Sequence, residues 1–313
     1  MMAITGTGTE LDPFIVHSYD EIKEAAESHN TGDYTMYYMK LANDIDCNDY
    51  GTDWEWTVIE FAKNTGSGTN LKKWANTLDL DGHTIKNAFV ANGEKMFAGI
   101  ISGTTGYGII KNGKILNIFG SNPYCVFPSM YLNNVSVSSL LTSYGDRFST
   151  GFFQNCAIYL IVLQNGSKSP FYYSQNNALK NVDIYAELLN CTSGTQLISP
   201  SDAVTLDSIR ISGKATPADP NNLGTFKISS QKLINSVVDF DLTEWSYPEG
   251  TTGTVSVLVS DGNNTTVVNA EKLQVAGYQK LIIPSNILQA TTAQIRNGDA
   301  LRSLGFLVTN VEE

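Results

Sequence analysis

Carboxylates and amides are the groups of this chain whose spacing could do chemistry. Asp44, Asp46, Asn48 and Glu55 fall on the first, third, fifth and twelfth positions of a calcium-binding loop, where oxygen ligands are needed. The sixth position, which needs glycine for the sharp turn, is Asp49, and no helical pattern flanks the segment. A turn at the end of a strand, with no metal, is therefore the expectation. A second acidic set, Asp183, Asp207, Asp239, Asp241 and Glu244, could supply the carboxylate pair of a polysaccharide-cleaving enzyme. Such a pair sits about 5 to 9 Å apart, depending on mechanism. Asp239, Asp241 and Glu244 are the best-spaced catalytic candidates, but alternation puts Asp239 and Asp241 on the outer face of a strand. His83 follows Asp81 and Gly82 and reads as a turn residue; with His17 and His29 the only others, a histidine-centred triad has little support. No catalytic residue and no cofactor are expected.

The elements that must position these groups follow from a short phrase that keeps returning: apolar, spacer, Asn or Ser, apolar, polar, apolar. It occurs at Ile85 to Val90, Leu132 to Val137, Phe153 to Ile158, Leu179 to Ile184 and Leu206 to Ile211, with weaker copies at Ile115 to Phe119 and Leu233 to Phe240. A recurrence of roughly 17 to 30 residues is the range of stacked repeat architectures. Alternation with Val and Ile enrichment is strand chemistry, and no copy is followed by the helical stretch that a βαβ crossover needs. Each repeat is read as one coil of a right-handed parallel β-helix. The recurring amides then fall at a coil corner and predict an asparagine ladder through Asn87, Asn117, Asn134, Asn155 and Asn181, continued by Ser208. The same register sets Asp183 beside Arg210 of the next coil, as a solvated ion pair.

Around the coils, residues 1–36 are expected to form an N-terminal cap of a strand plus a helix. Ser18 and Glu21 are spaced as a capping box ahead of Ile22, Ala25 and Ala26. Residues 37–246 are the β-helix. A break rich in Pro, Gly and Thr follows Trp245, and residues 247–313 are expected to form a small α+β domain for attachment or oligomerisation. The fold class is thus all-β with a helical cap and a small C-terminal α+β domain.

Composition narrows the partners. A net charge of -11 offers no basic stripe for phosphates, so no nucleic acid is expected. No apolar run approaches a membrane span, and the N-terminus has no charged and apolar leader, which predicts synthesis in a bacterial cytoplasm. The 4 cysteines are far apart and are read as thiols. Trp54, Trp56, Trp74, Tyr124, Tyr172, Tyr173 and Trp245 are read as exposed aromatics, with Trp74, Tyr172, Tyr173 and Trp245 the candidate contacts for a glycan or partner. Phe119, Val126 and Phe127 are weak candidates for a subunit interface in a homotrimer.

The opening stretch carries a resemblance. A Gly-Thr-rich start, Asp12-Pro13, the capping helix, Leu41 to Asp46 as a strand end, and Asp81 to Ile85 as a turn are similar to the opening module of parallel β-helix surface proteins of bacterial adhesins and bacteriophage virions. The segment from Leu281 to Phe306 more loosely resembles C-terminal segments of phage structural proteins. The resemblance covers about the first 120 residues and identifies an architecture rather than an activity. It implies a non-enzymatic virion protein, displayed as a tail fibre, spike, or head or collar decoration. Such a protein would contact other virion proteins and a host cell-surface glycan. The alternatives are a polysaccharide-degrading tailspike and a bacterial surface adhesin.

Overall fold

The structure is a computed structural model describing residues 4–27, 34–51, 54–65, 72–91, 93–99, 107–120, 125–141, 147–163, 169–173, 178–191, 197–200, 205–219, 232–234, 237–241, 279–282 and 307–310. Strand and helix follow the residue pattern. The first elements are β1 (Phe14–Val16), α1 (Tyr19–Glu27), β2 (Tyr38–Leu41), β3 (Ile45–Asp46), β4 (Thr77–Asp79), β5 (Thr84–Lys86) and β6 (Phe89–Val90). Then come long strands: β7 (Ile109–Gly120), β8 (Tyr131–Leu141), β9 (Phe152–Val162), β10 (Leu179–Cys191) and β11 (Thr205–Pro217). Strands β12 (Lys232–Ile234), β13 (Val237–Asp241), β14 (Gln279–Ile282) and β15 (Leu307–Asn310) close the series.

All of these except β14 and β15 join one 13-stranded parallel sheet, whose main path runs β1-β2-β4-β7-β8-β9-β10-β11-β12. Between strands of this sheet the chain visits a second wall. There Ile59–Glu60 pairs with Phe97–Ala98, and Phe171–Tyr173 with Ile198–Pro200, again in parallel. Isolated parallel bridges Phe127 to Ser149 and Ser149 to Phe171 continue that wall. The protein is thus mostly β and built on a large parallel sheet, an arrangement that fits a β-helix. The segment 247–313, expected as an α+β domain, is described only at β14 and β15, which pair antiparallel.

Register turns the repeat into a core. Ile45, Ile85, Ile115, Val137, Ile158, Ile184 and Ile211 stand opposite one another on successive strands and are all buried. Each such side chain contributes about 1.5–3 kcal/mol when fully withdrawn from water. On the second wall the core is aromatic: Phe97 stacks on Phe127 with centroids 6.4 Å apart, and Phe148 meets Phe127 and Phe171 edge-on, each at 5.4 Å. Trp56, expected at the surface, is fully buried and donates its indole N–H to the Met96 carbonyl at 2.8 Å. Val126 and Phe127, offered as interface residues, belong to this core as well. The reason is the same for all three: a second inward face exists that alternation within the long strands does not reveal.

Helix α1 buries Tyr19, Glu21, Ile22, Ala25 and Ala26. Ser18 Oγ accepts the Glu21 N–H at 3.2 Å, while the Glu21 carboxylate accepts the His17 N–H at 2.8 Å, so the capping pair serves the backbone reciprocally. The buried Asn76 amide donates to the Ala26 carbonyl at 3.0 Å, which satisfies a helix-end acceptor. Cys47, Cys125, Cys156 and Cys191 are buried thiols, and burial pushes Cys125 and Cys156 up to about 12.

Ile158 sits mid-column and fully buried, with neighbours on both flanking strands. Ile158→Ala is expected to destabilise the protein by about 2–5 kcal/mol, read as the shift in a urea unfolding curve.

Candidate functional site

The corner residues are held in the left-handed region. Asn112, Asn134, Asn155, Asn181 and Ser208 have φ of 59°, 56°, 54°, 52° and 56°, a conformation that Asn tolerates better than other residues with a Cβ. Neighbouring pairs in the strand registers align these residues in one column. Amide hydrogen bonds run along parts of it: Asn134 Nδ2 donates to Asn112 at 3.2 Å and Asn181 to Asn155 at 2.8 Å, while between them Asn155 donates not to Asn134 but to the adjacent Asn133, at 3.2 Å. At its start Asn112 Nδ2 donates to both carboxylate oxygens of Asp79, each at 3.1 Å.

Asn87 and Asn117 stand elsewhere. They form a separate column in which Asn117 Nδ2 donates to Asn87 at 2.9 Å and Asn87 Nδ2 to Asp46 at 2.7 Å. The single ladder expected from the sequence is therefore two. Its second column stops because β7 bulges against β8 between Ile115 and Ile118, so that Ser138 faces Asn117 and takes its backbone N–H on Oγ at 2.9 Å. A hydroxyl is too short to continue an amide ladder, and the buried Asn117 Oδ1 has no partner among the described residues. Asn112 was missed because its copy of the phrase carries Gly113 in the apolar slot. Glycine is required there: a Cβ would lie 2.4 Å from Leu80 Cβ and 2.6 Å from the His83 carbonyl oxygen.

The acidic turn serves the backbone. Asp44 Oδ1 accepts the Thr84 N–H at 2.9 Å and lies 3.2 Å from His83 Nδ1. Asp46 caps the short 3-10 turn Cys47–Tyr50 by accepting the Asn48 N–H at 3.0 Å, and meets Lys86 Nζ at 3.2 Å. Burial raises Asp46, but hydrogen bonds from Asn87, Asn48 and Lys86 outweigh it and leave the carboxyl below the usual range. Asn48 and Glu55 are exposed. Among the described residues no group of His, Cys, Asp or Glu is arranged to hold a metal.

The outer face of the sheet carries the remaining polar chemistry. Asp183 stands opposite Arg210, with a carboxylate oxygen 3.7 Å from Nε. Burial raises the Asp183 carboxyl, and Arg210 offsets only part of that. Tyr159 and Tyr185 stack with ring centroids 5.1 Å apart and planes at 6°, and both hydroxyls donate to Glu187 Oε1, at 3.1 and 3.3 Å. The other Glu187 oxygen lies 3.7 Å from Lys214 Nζ. Burial, with Glu187 and Tyr185 beside it, raises the Tyr159 hydroxyl. The register sets Asp239 opposite Ser212 and Asp241 opposite Lys214. Asp207 stands opposite Lys180. Glu244 and Trp245 lie outside the described residues.

Trp74 stands on the strand Lys72–Ala75, opposite Lys63 and Thr35, and Tyr172 and Tyr173 stand on Phe171–Tyr173, opposite Ser199 and Pro200. At the other end of the sheet a groove of about 400 Å³ is lined by Glu10, Tyr38, Lys40, Thr77, Asp79 and Lys111. Its charges alternate across neighbouring strands. Lys40 pairs with Asp81 at 2.9 Å, and that hydrogen bond raises the Lys40 ammonium; Lys111 meets Asp79 at 3.4 Å.

No protein-family model and no curated protein matches the chain. A solved structure that overlaps it is a Bacteroides ovatus protein provisionally described as an immunoglobulin A1 protease, with TM-score 0.47, 14% identity, and coverage of 80% of this chain and 83% of that one. An overlap of that extent assigns no activity to this chain.

Asn155→Ala removes two amide hydrogen bonds, to Asn133 and from Asn181, and strains the positive φ. It is expected to destabilise by about 1–3 kcal/mol in urea unfolding, and Asn155→Gly by less, because glycine keeps the backbone conformation. A depressed carboxyl stabilises the folded state above its unfolded value, about 3.9 for Asp, and that stability disappears as pH falls through the folded value. The stability gap between the wild type and Asp46→Asn is therefore expected to be widest above about pH 4 and to shrink on further acidification. Urea titrations from neutral to acidic pH read it directly.

Proposed function

We propose that this chain is a non-enzymatic structural protein of a bacteriophage particle: a right-handed parallel β-helix, closed at its N-terminal end by α1, that presents a rigid side to the host surface. Displayed as a tail fibre, a spike component, or a head or collar decoration, it acts as a stiff support whose groups are held in place before contact. The observation that supports this best is how the described outer charges are used. Asp46 with Lys86, Asp79 with Lys111, Asp183 with Arg210 and Glu187 with Lys214 pair between neighbouring strands, with distances from 3.2 to 3.7 Å. Such pairing hardens a stack and spends its carboxylates on the stack itself, which is the economy of a scaffold. The placement on a virion rests on the resemblance of the opening module.

A polysaccharide-degrading spike is the second reading, and one observation favours it. Glu187 and Asp241 flank Lys214 in register, two strand spacings or roughly 10 Å apart, beside the partly exposed Tyr185.

The deciding experiment is labelled antibody against the purified chain, imaged on intact particles from a lysate of the source. Label on the tail or capsid is the expected result, and absence from particles overturns the virion reading. Release of reducing ends from host glycan, abolished in Glu187→Gln and Asp241→Asn, would replace it with the depolymerase.

A further inference from the structure

One outer column of the sheet changes character halfway. In register it reads Phe89, Phe119, Leu140, Ile161, Glu187, Lys214 and Asp241. Its neighbours in the chain, such as Ile118, Leu141, Leu160 and Val162, belong to the core, so alternation turns this column away from it. Yet the apolar members are not exposed: Phe89, Phe119, Leu140 and Ile161 are 2%, 6%, 0% and 2% accessible while standing outside the core cluster. Tyr159, on the adjacent outward column, is buried likewise at 1%. Something covers the outer face over the first half of the column, and the cover ends where Glu187 begins.

The same chain supplies it. Strand β14 lies against β8 and β9, the strands that carry Leu140 and Ile161. Its partner β15 sets Val308 opposite Leu281 and Leu307 opposite Ile282. The connection is long enough. At about 3.3 Å per residue the segment 242–278 spans far more than the roughly 20 Å of strand spacings between β13 and β8.

We infer that the β14–β15 pair is a strap of the same chain, docked on the apolar half of this outer column across β8 and β9. The strap closes that face to a second copy, and beyond it the column turns charged at Glu187 and Lys214. Phe119 is accordingly covered within its own chain rather than held for a subunit contact. This inference does not depend on where the protein is displayed.

Limited trypsin digestion of the full chain, mapped by mass spectrometry, tests it at Lys280. In the wild type this site is expected to be protected. In Leu140→Asp/Ile161→Asp it is expected to be cut at least about tenfold faster, with residues 1–246 still resistant. The reciprocal variant Leu281→Asp/Ile282→Asp leaves the large sheet untouched and is expected to give the same release, which covers the case in which the first variant fails to fold. Equal cleavage in wild type and reciprocal variant overturns the strap. Protection that weakens on roughly hundredfold dilution also overturns it, because the face is then covered by a second copy.

Discussion

The structure depends on a backbone conformation that recurs once near the start of each long strand of the parallel sheet. A residue at Asn112, Asn134, Asn155, Asn181 and Ser208 must adopt positive φ for the chain to enter the next stretch of sheet in register. Because the side-chain period of a strand is two, a slip by one residue would turn every apolar side chain outward. The left-handed corner is thus a register pin. The amide that tolerates the conformation also reaches the amide of the coil before it, so the local and the long-range requirement are met by one side chain.

With register pinned, the columns decide what is inside. The isoleucine-rich column from Ile45 to Ile211 and the aromatic stack from Phe97 to Phe171 line two walls of one interior, and neither is a property of a single repeat. Register also fixes close approaches. Gly213 stands opposite Ala186, where a Cβ would come within 1.9 Å of the Ala186 carbonyl oxygen, and its φ of 129° admits no ordinary side chain. The outer surface obeys the same rule: like positions meet like positions, so a pair such as Asp183 and Arg210 forms only because neighbouring coils carry opposite charges at the same place in the phrase.

That rule divides the outside by chemistry. The half where the outer column is Phe, Phe, Leu and Ile is shut, and beyond it the column turns to Glu187, Lys214 and Asp241, with Glu187 3.7 Å from Lys214. The stacked tyrosines lie on the boundary, with Tyr159 buried and Tyr185 partly exposed.

The sequence by itself determined the repeating strands, the Asn corners, the Asp183 and Arg210 pair and the helix start at Ser18, because each is encoded within one phrase or in the alignment of one phrase on the next. It misplaced what depends on how the phrases are laid over each other. Asn87 and Asn117 read as members of the main ladder because the spacing of residues around them is right, but a bulge in β7 sets them in their own column. Asn112 was hidden by Gly113, whose missing side chain is a response to Leu80 and the turn at His83, residues remote in sequence. Trp56, Val126 and Phe127 lay in segments with no alternation, and only the closing of a second wall took them out of water. Burial of Phe89, Phe119, Leu140 and Ile161 was decided from outside their own phrases, since an outward side chain is covered only by what the rest of the chain brings to it; against the strands of Leu140 and Ile161 that includes β14.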